Sequence, residues 1–273
     1  MGANQPRIRG RLLAARLVMD LNLKDKVVVV AGSSRGIGKT IAGLLLEEGA
    51  KVCISGRDPE SLAATEHEFS NLGQVAGFSG DLAKAEPIAL LFKFIGTKWG
   101  ALDAIIVNLG TGRGTSGWDP PEEDWDRLFL QNFHAGRRLA GAAVPLLERR
   151  GGGSIVFISS ITGVEATPAP LPYSAAKAAL INYSKNLSRQ LAEKNIRVNC
   201  IAPGNIVFPG GSWDRRLIAD RESVTRMLDA EVPLKRLGTP GEIAGLAAFL
   251  CSTQASFITG ACMVADGGQT KRP

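Results

Sequence analysis

The chain has 273 residues, 45% of them hydrophobic, enough for one sizeable core and too apolar for a disordered or fibrous chain. Its net charge of +6 is unevenly placed: Arg7, Arg9, Arg11 and Arg16 precede the first acid, Asp20, so the tail carries +4 and the rest only +2. A near-neutral body excludes a broad phosphate-binding face, and no nucleic-acid partner is expected.

Cys53, Cys200, Cys251 and Cys262 show neither paired nor metal-ligand spacing, and His67 and His134 are the only histidines, so no metal site is expected. Free thiols suit the reducing cytoplasm. No apolar run approaches the roughly 20 residues that span a bilayer, so no membrane association is expected. Residues 1–22 read as a basic N-terminal extension, flexible or a targeting segment, without the apolar stretch and cleavage pattern of a secretory signal. Residues 23–273 read as one domain.

Val27 to Ala31 is an aliphatic run ending at glycine, the pattern of a strand buried on both faces. Ile37 to Glu48 has helical periodicity and stops at Gly49, a C-terminal cap. Further strands are predicted at Lys51–Ser55, Val75–Phe78, Ala104–Val107, Ser154–Ser159, Arg197–Ile201 and Cys262–Ala265. Helices are predicted between them, at Pro59–Asn71, Ala85–Trp99, Glu123–Arg149, Pro172–Glu193 and Pro240–Cys251. This alternation predicts an α/β fold: a doubly wound Rossmann domain with a parallel sheet of about seven strands, helices on both faces and ligands outside the C-terminal strand ends.

The turn Gly32-Ser33-Ser34-Arg35-Gly36-Ile37-Gly38 joins the first strand to the first helix. Glycine permits the tight turn and lets the backbone approach a pyrophosphate, while the helix N-terminus offers unpaired N–H groups. Gly32, Ser34, Arg35, Gly36, Ile37 and Gly38 are therefore candidate cofactor ligands. A simple tight connection is the alternative, since the spacing is not the commoner G-x-G-x-x-G.

An acid about 20 positions further on would select NAD(H) by binding the ribose. The second strand instead ends Ser55-Gly56-Arg57-Asp58. Arg57 and Arg35 would flank a ribose 2′-phosphate, so NADP(H) is expected over NAD(H). In the alternative both arginines are solvated and Asp58 reaches the ribose, although Asp58 before Pro59 reads as a helix cap. Asp81 is placed to accept from an adenine amine with Leu82 against the ring, or to cap the next helix.

Pro172 suits the first position of a helix, which puts Tyr173 in the first turn and Lys177 one turn later on the same face. The helix dipole and the ammonium both favour phenolate, and the tyrosine pKa is expected to fall from about 10 toward neutrality, where a general acid/base works best. Ser160 stands at the C-terminal end of a strand, where its hydroxyl would donate to a substrate carbonyl oxygen. Neighbouring Ser159 competes for that role, and strand alternation points the two in opposite directions.

These residues resemble the short-chain dehydrogenase/reductases over Leu23 to Gly268: AGSSRGIG, Asp81-Leu82, Asn108, Asn132, Ser160, Tyr173-x-x-x-Lys177, Ala202-Pro203-Gly204 and Ala265-Asp266-Gly267-Gly268. The chain looks most like the 3-oxoacyl-carrier-protein-reductase-like branch. The resemblance selects Ser160 over Ser159. It implies that Tyr173 exchanges a proton with the substrate oxygen, that Lys177 holds the nicotinamide ribose and depresses the tyrosine pKa, and that Asn132 anchors a water linking Lys177 to solvent. It also implies a homotetramer built through the long helices and the C-terminal strand.

Three departures stand out. The family's N-N-A-G is here Asn108-Leu109-Gly110-Thr111, with Gly110, Gly112 and Gly114 keeping the loop compact around the cofactor. Phe208 replaces a hydroxyl that contacts the carboxamide, so backbone groups around Ile206, beside Pro203 and Gly204, would anchor the nicotinamide. Ala265 replaces valine. A lid is expected near 205–235, carrying Trp213, Leu217, Met227 and Leu228 either for a hydrophobic substrate or for its own packing. Arg215, Arg216, Arg221 and Arg226 would meet an anionic carrier or carboxylate, or are simply solvated. The expected function is hydride transfer between NADP(H) and a small-molecule ketone or secondary alcohol. An NAD-dependent polyol, sugar or steroid dehydrogenase and a nucleotide-sensing binding protein are the alternatives.

Overall fold

Four valines and an alanine form the first strand, β1 (Val27–Ala31), and every one of them is buried. The side chains alternate: Val28 and Val30 enter one hydrophobic cluster, Val27, Val29 and Ala31 another on the opposite face. A strand covered on both sides has no polar face to present, hence its unbroken aliphatic run. The computed structural model describes residues 20–271, so residues 1–19 of the expected basic extension lie outside the described residues.

Six more strands follow: β2 (Lys51–Gly56), β3 (Val75–Ser79), β4 (Ala104–Val107), β5 (Gly153–Ile158), β6 (Ile196–Pro203) and β7 (Cys262–Ala265). All pair in parallel, in the order β3-β2-β1-β4-β5-β6-β7. The helices are α1 (Gly36–Glu47), α2 (Pro59–Phe69), α3 (Ala85–Trp99), α4 (Glu122–Phe129), α5 (Ala135–Arg149), α6 (Leu171–Leu191), α7 (Ser212–Ala219), α8 (Arg221–Glu231) and α9 (Pro240–Cys251). Apolar residues of α1, α2 and α9 join the cluster on one face, and those of α3, α5 and α6 the cluster on the other. The chain runs outward from β1 to β3 and returns to β4 on the other side of β1, so the β1 and β4 connections diverge and open a crevice at their C-terminal ends.

Several boundaries differ from expectation. The segment predicted as one helix over Glu123–Arg149 is α4 and α5 joined through a π-helical turn, Leu130–His134. That turn breaks no apolar period, so the sequence carries no sign of it. Helix α6 starts at Leu171 behind Pro170, which places Pro172 second rather than first and Tyr173 third. Strand β5 ends at Ile158, β6 runs on to Pro203, and α2 stops at Phe69. The expected lid region contains two short helices, α7 and α8, around a small cluster of Val224, Leu228 and Val232, with Trp213, Leu217 and Met227 packed on it. Among the described residues, no helix is long and apolar enough to cross a membrane, and no cluster of His, Cys, Asp and Glu could hold a metal ion.

At the opposite end of the sheet from the crevice, Asp103 ties the strands together. Its carboxylate accepts from the Val27 amide at 2.9 Å and meets Lys26 at 3.3 Å and Arg150 at 2.9 Å, with the side chain 11% exposed. Replacing it strands a β1 donor and two cations. Asp103→Ala is expected to lower stability by about 1–3 kcal/mol, read as a lower urea midpoint, with Asp103→Asn recovering part of the loss.

Candidate active site

The crevice is a cavity of about 770 Å³. The β1–α1 turn forms one side of it. A Cβ on Gly38 would stand 2.3 Å from the Gly32 carbonyl oxygen and 2.6 Å from Asn108 Nδ2, so only glycine lets the helix start this close to the strand ends. Asn108 locks the approach by donating to the Gly32 carbonyl at 2.9 Å. Two serines set the turn against β2: the Ser33 hydroxyl accepts from the Ser55 amide at 2.9 Å, and the Ser55 hydroxyl accepts from the Gly32 amide at 3.2 Å. Neither serine was singled out from the sequence, since a buried turn-setting hydroxyl leaves no spacing signal.

Gly32, Ser34, Arg35 and Ile37 line the cavity, as does Arg57 at the tip of β2, while the expected ligands Gly36 and Gly38 are not in its wall and pack against Phe208 and Gly32. Arg35 and Arg57 are exposed, and neither meets a carboxylate among the described residues. Asp58 accepts from the Ser61 amide at 3.2 Å and caps α2. Asp81 is also in the wall, but its carboxylate closes a local turn on the Ala83 amide at 3.2 Å. Lys84, not Asp81, stands at the N-cap of α3. Leu82 touches the cavity yet is 3% exposed, its side chain belonging to the core under α3.

The reacting end is built around Lys177. Its ammonium is buried and donates to the carbonyls of Ile158 at 2.9 Å and Leu109 at 3.4 Å. Burial lowers its pKa to about 8, partly offset by the Cys200 thiol nearby. It stands 5.9 Å from the centre of the Tyr173 ring. The half-buried Tyr173 does not behave as expected: desolvation pushes its phenol above the ordinary value, and a hydrogen bond with Ser160 only partly opposes this. The lowering expected from the helix dipole and the ammonium is not found; loss of water sets the direction.

Ser159 and Ser160 separate as strand alternation requires. The Ser159 hydroxyl turns away and donates to the Lys177 carbonyl at 2.9 Å, whereas Ser160 meets Tyr173 and accepts from the Thr162 amide at 3.3 Å.

Asn132 lies in the π-helical turn, 1% exposed. It accepts from the Thr111 amide at 3.1 Å and donates to the Thr111 carbonyl at 3.0 Å and the Leu128 carbonyl at 2.9 Å. A π-turn lets its side chain leave the ordinary helix ladder, a device common at functional sites. Gly110 is fixed by the same packing: at φ +142°, any Cβ would stand 2.2 Å from Asn132 Oδ1 and 3.2 Å from Lys177 Nζ. The glycine serves this contact as well as compacting the loop.

Pro203 at the end of β6, with Gly204 and Ile206 beyond it, completes this part of the wall. Ile206 forms an isolated bridge to Gly238 whose bonds are made by its neighbours, Val207 donating to Gly238 and Gly238 donating to Asn205. The N–H and C=O of Ile206 itself therefore face away from that bridge. The ring of Phe208 lies against Gly36. Distant residues also reach the wall without any motif to announce them: Arg113, Gln131, Thr167 and Gln269, the last bonded to Asn205 at 2.9 Å.

A family model described as enoyl-(acyl carrier protein) reductase matches residues 31–270. The dehydrogenase/reductase SDR family member 4 of Bos taurus is 38% identical over 250 residues, covering 90% of this chain and 88% of that protein. The 3-oxoacyl-[acyl-carrier-protein] reductase FabG of Chlamydia muridarum is 36% identical over 253 residues, covering 92% and 99%. Among solved structures, L-sorbose reductase of Gluconobacter frateurii, complexed with NADPH and L-sorbose, superposes with a TM-score of 0.88 at 31% identity, over 93% of this chain and 100% of that one. Relatives matched over nine-tenths of the chain, on a sheet of this strand order, leave one membership for a site of this build: the chain is an oxidoreductase of the short-chain dehydrogenase/reductase family.

Proposed function

We propose that the protein interconverts a ketone and a secondary alcohol with NADP(H), and that Ser160, Tyr173, Lys177 and Asn132 carry the proton side of that reaction. The reading rests on one observation above all: a phenol and a buried ammonium that meets no carboxylate among the described residues share the face of α6 that meets the cavity, with the strand-end hydroxyl of Ser160 in the same wall.

The residues present fit a dinucleotide. A turn that a single Cβ would fill offers the N-terminus of α1 to a pyrophosphate, with Ser34, Arg35 and Ile37 beside it. Asn108, Gly110 and Asp81-Leu82 would line the adenosine and ribose path, and Gly204 and the free backbone groups of Ile206 would take the carboxamide. Arg35 and Arg57 favour a 2′-phosphate, because neither guanidinium meets a carboxylate among the described residues while Asp58 is occupied in its cap. Bound there, the nicotinamide supplies or accepts the hydride.

The chain's own groups do the rest. Ser160 donates to the substrate oxygen and holds it. Tyr173 gives that oxygen a proton in reduction and takes one in oxidation. The Lys177 ammonium steadies the phenol against developing charge and fixes the ribose. Asn132 holds the 110–111 backbone beside Lys177, and supports a solvent path for proton replacement.

Residues 205–235, including α7 and α8, would close over substrate. Free cysteines support a reducing compartment, the cytoplasm. Exposed Val264 on the edge strand β7 supports assembly, and we place the enzyme as a homotetramer.

Absorbance at the NADPH band with a panel of ketones tests the reading. Tyr173→Phe is expected to cut turnover by about 10²–10⁴ while NADPH still binds; turnover near wild type rejects the mechanism. Ketone reduction should hold level below about pH 8 and fall above it as Lys177, held at about 8, loses its proton, since Tyr173 is held higher and stays protonated. In Lys177→Arg that limb should move beyond about pH 10; a rate that rises through pH 8 contradicts the assignment. In fluorescence titrations, Arg57→Ala and Arg35→Ala should each weaken NADPH by about tenfold and leave NADH nearly unchanged. NADH binding as tightly as NADPH in the unaltered protein overturns the cofactor choice.

A further inference from the structure

The cations of the cavity wall fall into separate groups. Arg35 and Arg57 stand toward β2, in the place proposed for the ribose phosphate. Arg113 stands at the reacting end, on the loop that follows β4. Its side chain is exposed and meets no carboxylate among the described residues. The two carboxylates in the wall do not answer it: Asp81 is tied to the Ala83 amide, and Glu231 is the exposed last residue of α8.

The backbone under Arg113 is bound on both sides. Its amide donates to the Thr111 hydroxyl at 3.2 Å, and its carbonyl accepts from Arg127 at 2.8 Å. Thr111 is itself held at N–H and C=O by Asn132. On the other side, Asp124 bonds Arg127 and accepts from the Thr115 amide at 2.6 Å, contacts that hold its carboxyl down to about 2 and so keep it charged at neutral pH. A Cβ on the preceding residue, Gly112, would stand 3.7 Å from the Tyr173 ring. One guanidinium that meets no carboxylate among the described residues is thus carried on a fixed main chain, a residue away from a glycine whose added Cβ would come into contact with the proton donor. A planar fork of donors matches a carboxylate, and a preorganised backbone lowers the cost of using it.

Resting on the reductase reading above, we propose that Arg113 is a specificity residue that selects carbonyl substrates bearing a carboxylate, an oxo acid over a neutral ketone. The two lid arginines in the cavity wall have other occupations: Arg215 donates to the Gly210 carbonyl at 2.7 Å, and Arg216 stacks on Trp213 at 4.7 Å.

The test is calorimetric titration of the NADP⁺-saturated protein with acetoacetate, levulinate and longer oxo acids, each against its methyl ester, alongside rates of NADPH-dependent reduction of the same compounds. At least one acid is expected to bind about tenfold tighter than its ester. Arg113→Gln should bring that ratio near one, and Arg113→Lys should restore part of it as a point charge. Equal binding of every acid and ester by the unaltered protein overturns the proposal. So does Arg113→Gln weakening acid and ester alike, which would mark a structural role. Acid-selective binding with no turnover of either compound would sustain the subsite and strike the reductase reading beneath it.

Discussion

An ammonium group buried to 4% exposure with no carboxylate partner among the described residues is an expensive thing to fold around, and the site takes its form from how Lys177 is accommodated. Two carbonyl oxygens hold it, one from the end of β5 and one from the loop after β4. Those oxygens reach it only if helix α6, strand β5 and the β4 loop converge. The Ser159 hydroxyl fastens the Lys177 carbonyl to the strand end, and Asn132 fastens Thr111 to the π-helical turn. Gly110 is the residue at which the loop passes between Asn132 and Lys177, where no side chain fits. Several oddities of the chain, a π-turn, a glycine at φ +142° and a pair of serines facing opposite ways, thus answer one electrostatic demand.

Much of the fold was legible because its signals are local or periodic. Val27–Ala31, Ala104–Val107 and Cys262–Ala265 were read to the residue, since short aliphatic runs bounded by polar or turn residues have one economical use in an α/β chain. Helices α3 and α9 were read equally well. What escaped was the π-turn at Leu130–His134, which changes hydrogen-bond partners without changing residue types, and the division of the lid into α7 and α8, whose boundary is a single residue, Asp220.

The site divides along the same line. Residues belonging to a motif, such as the β1–α1 turn or the Tyr173–Lys177 pair, were visible because spacing along one element predicts a shared face. Asp58 was correctly suspected as a cap, because an acid before a helical proline has a strong local use. Arg113, Gln131 and Gln269 were invisible as wall residues: they reach the cavity from separate places in the chain, and only the folded sheet brings them together. The tyrosine pKa was misjudged for a related reason. Helix position and a neighbouring cation are readable from spacing, whereas the burial that raises the phenol is not.

That misjudgement bears on the chemistry. Burial raises the Tyr173 phenol and lowers Lys177 to about 8, so each shift opposes the charged form of its own group. At neutral pH the protein by itself therefore favours a protonated phenol beside a mostly protonated ammonium. A protonated phenol is what carbonyl reduction consumes, while alcohol oxidation must first remove that proton against the desolvation of the pocket. The Ser160 hydrogen bond works the other way and limits how far the phenol can rise. Burial thus keeps the phenol protonated, ready to give its proton to a substrate oxygen.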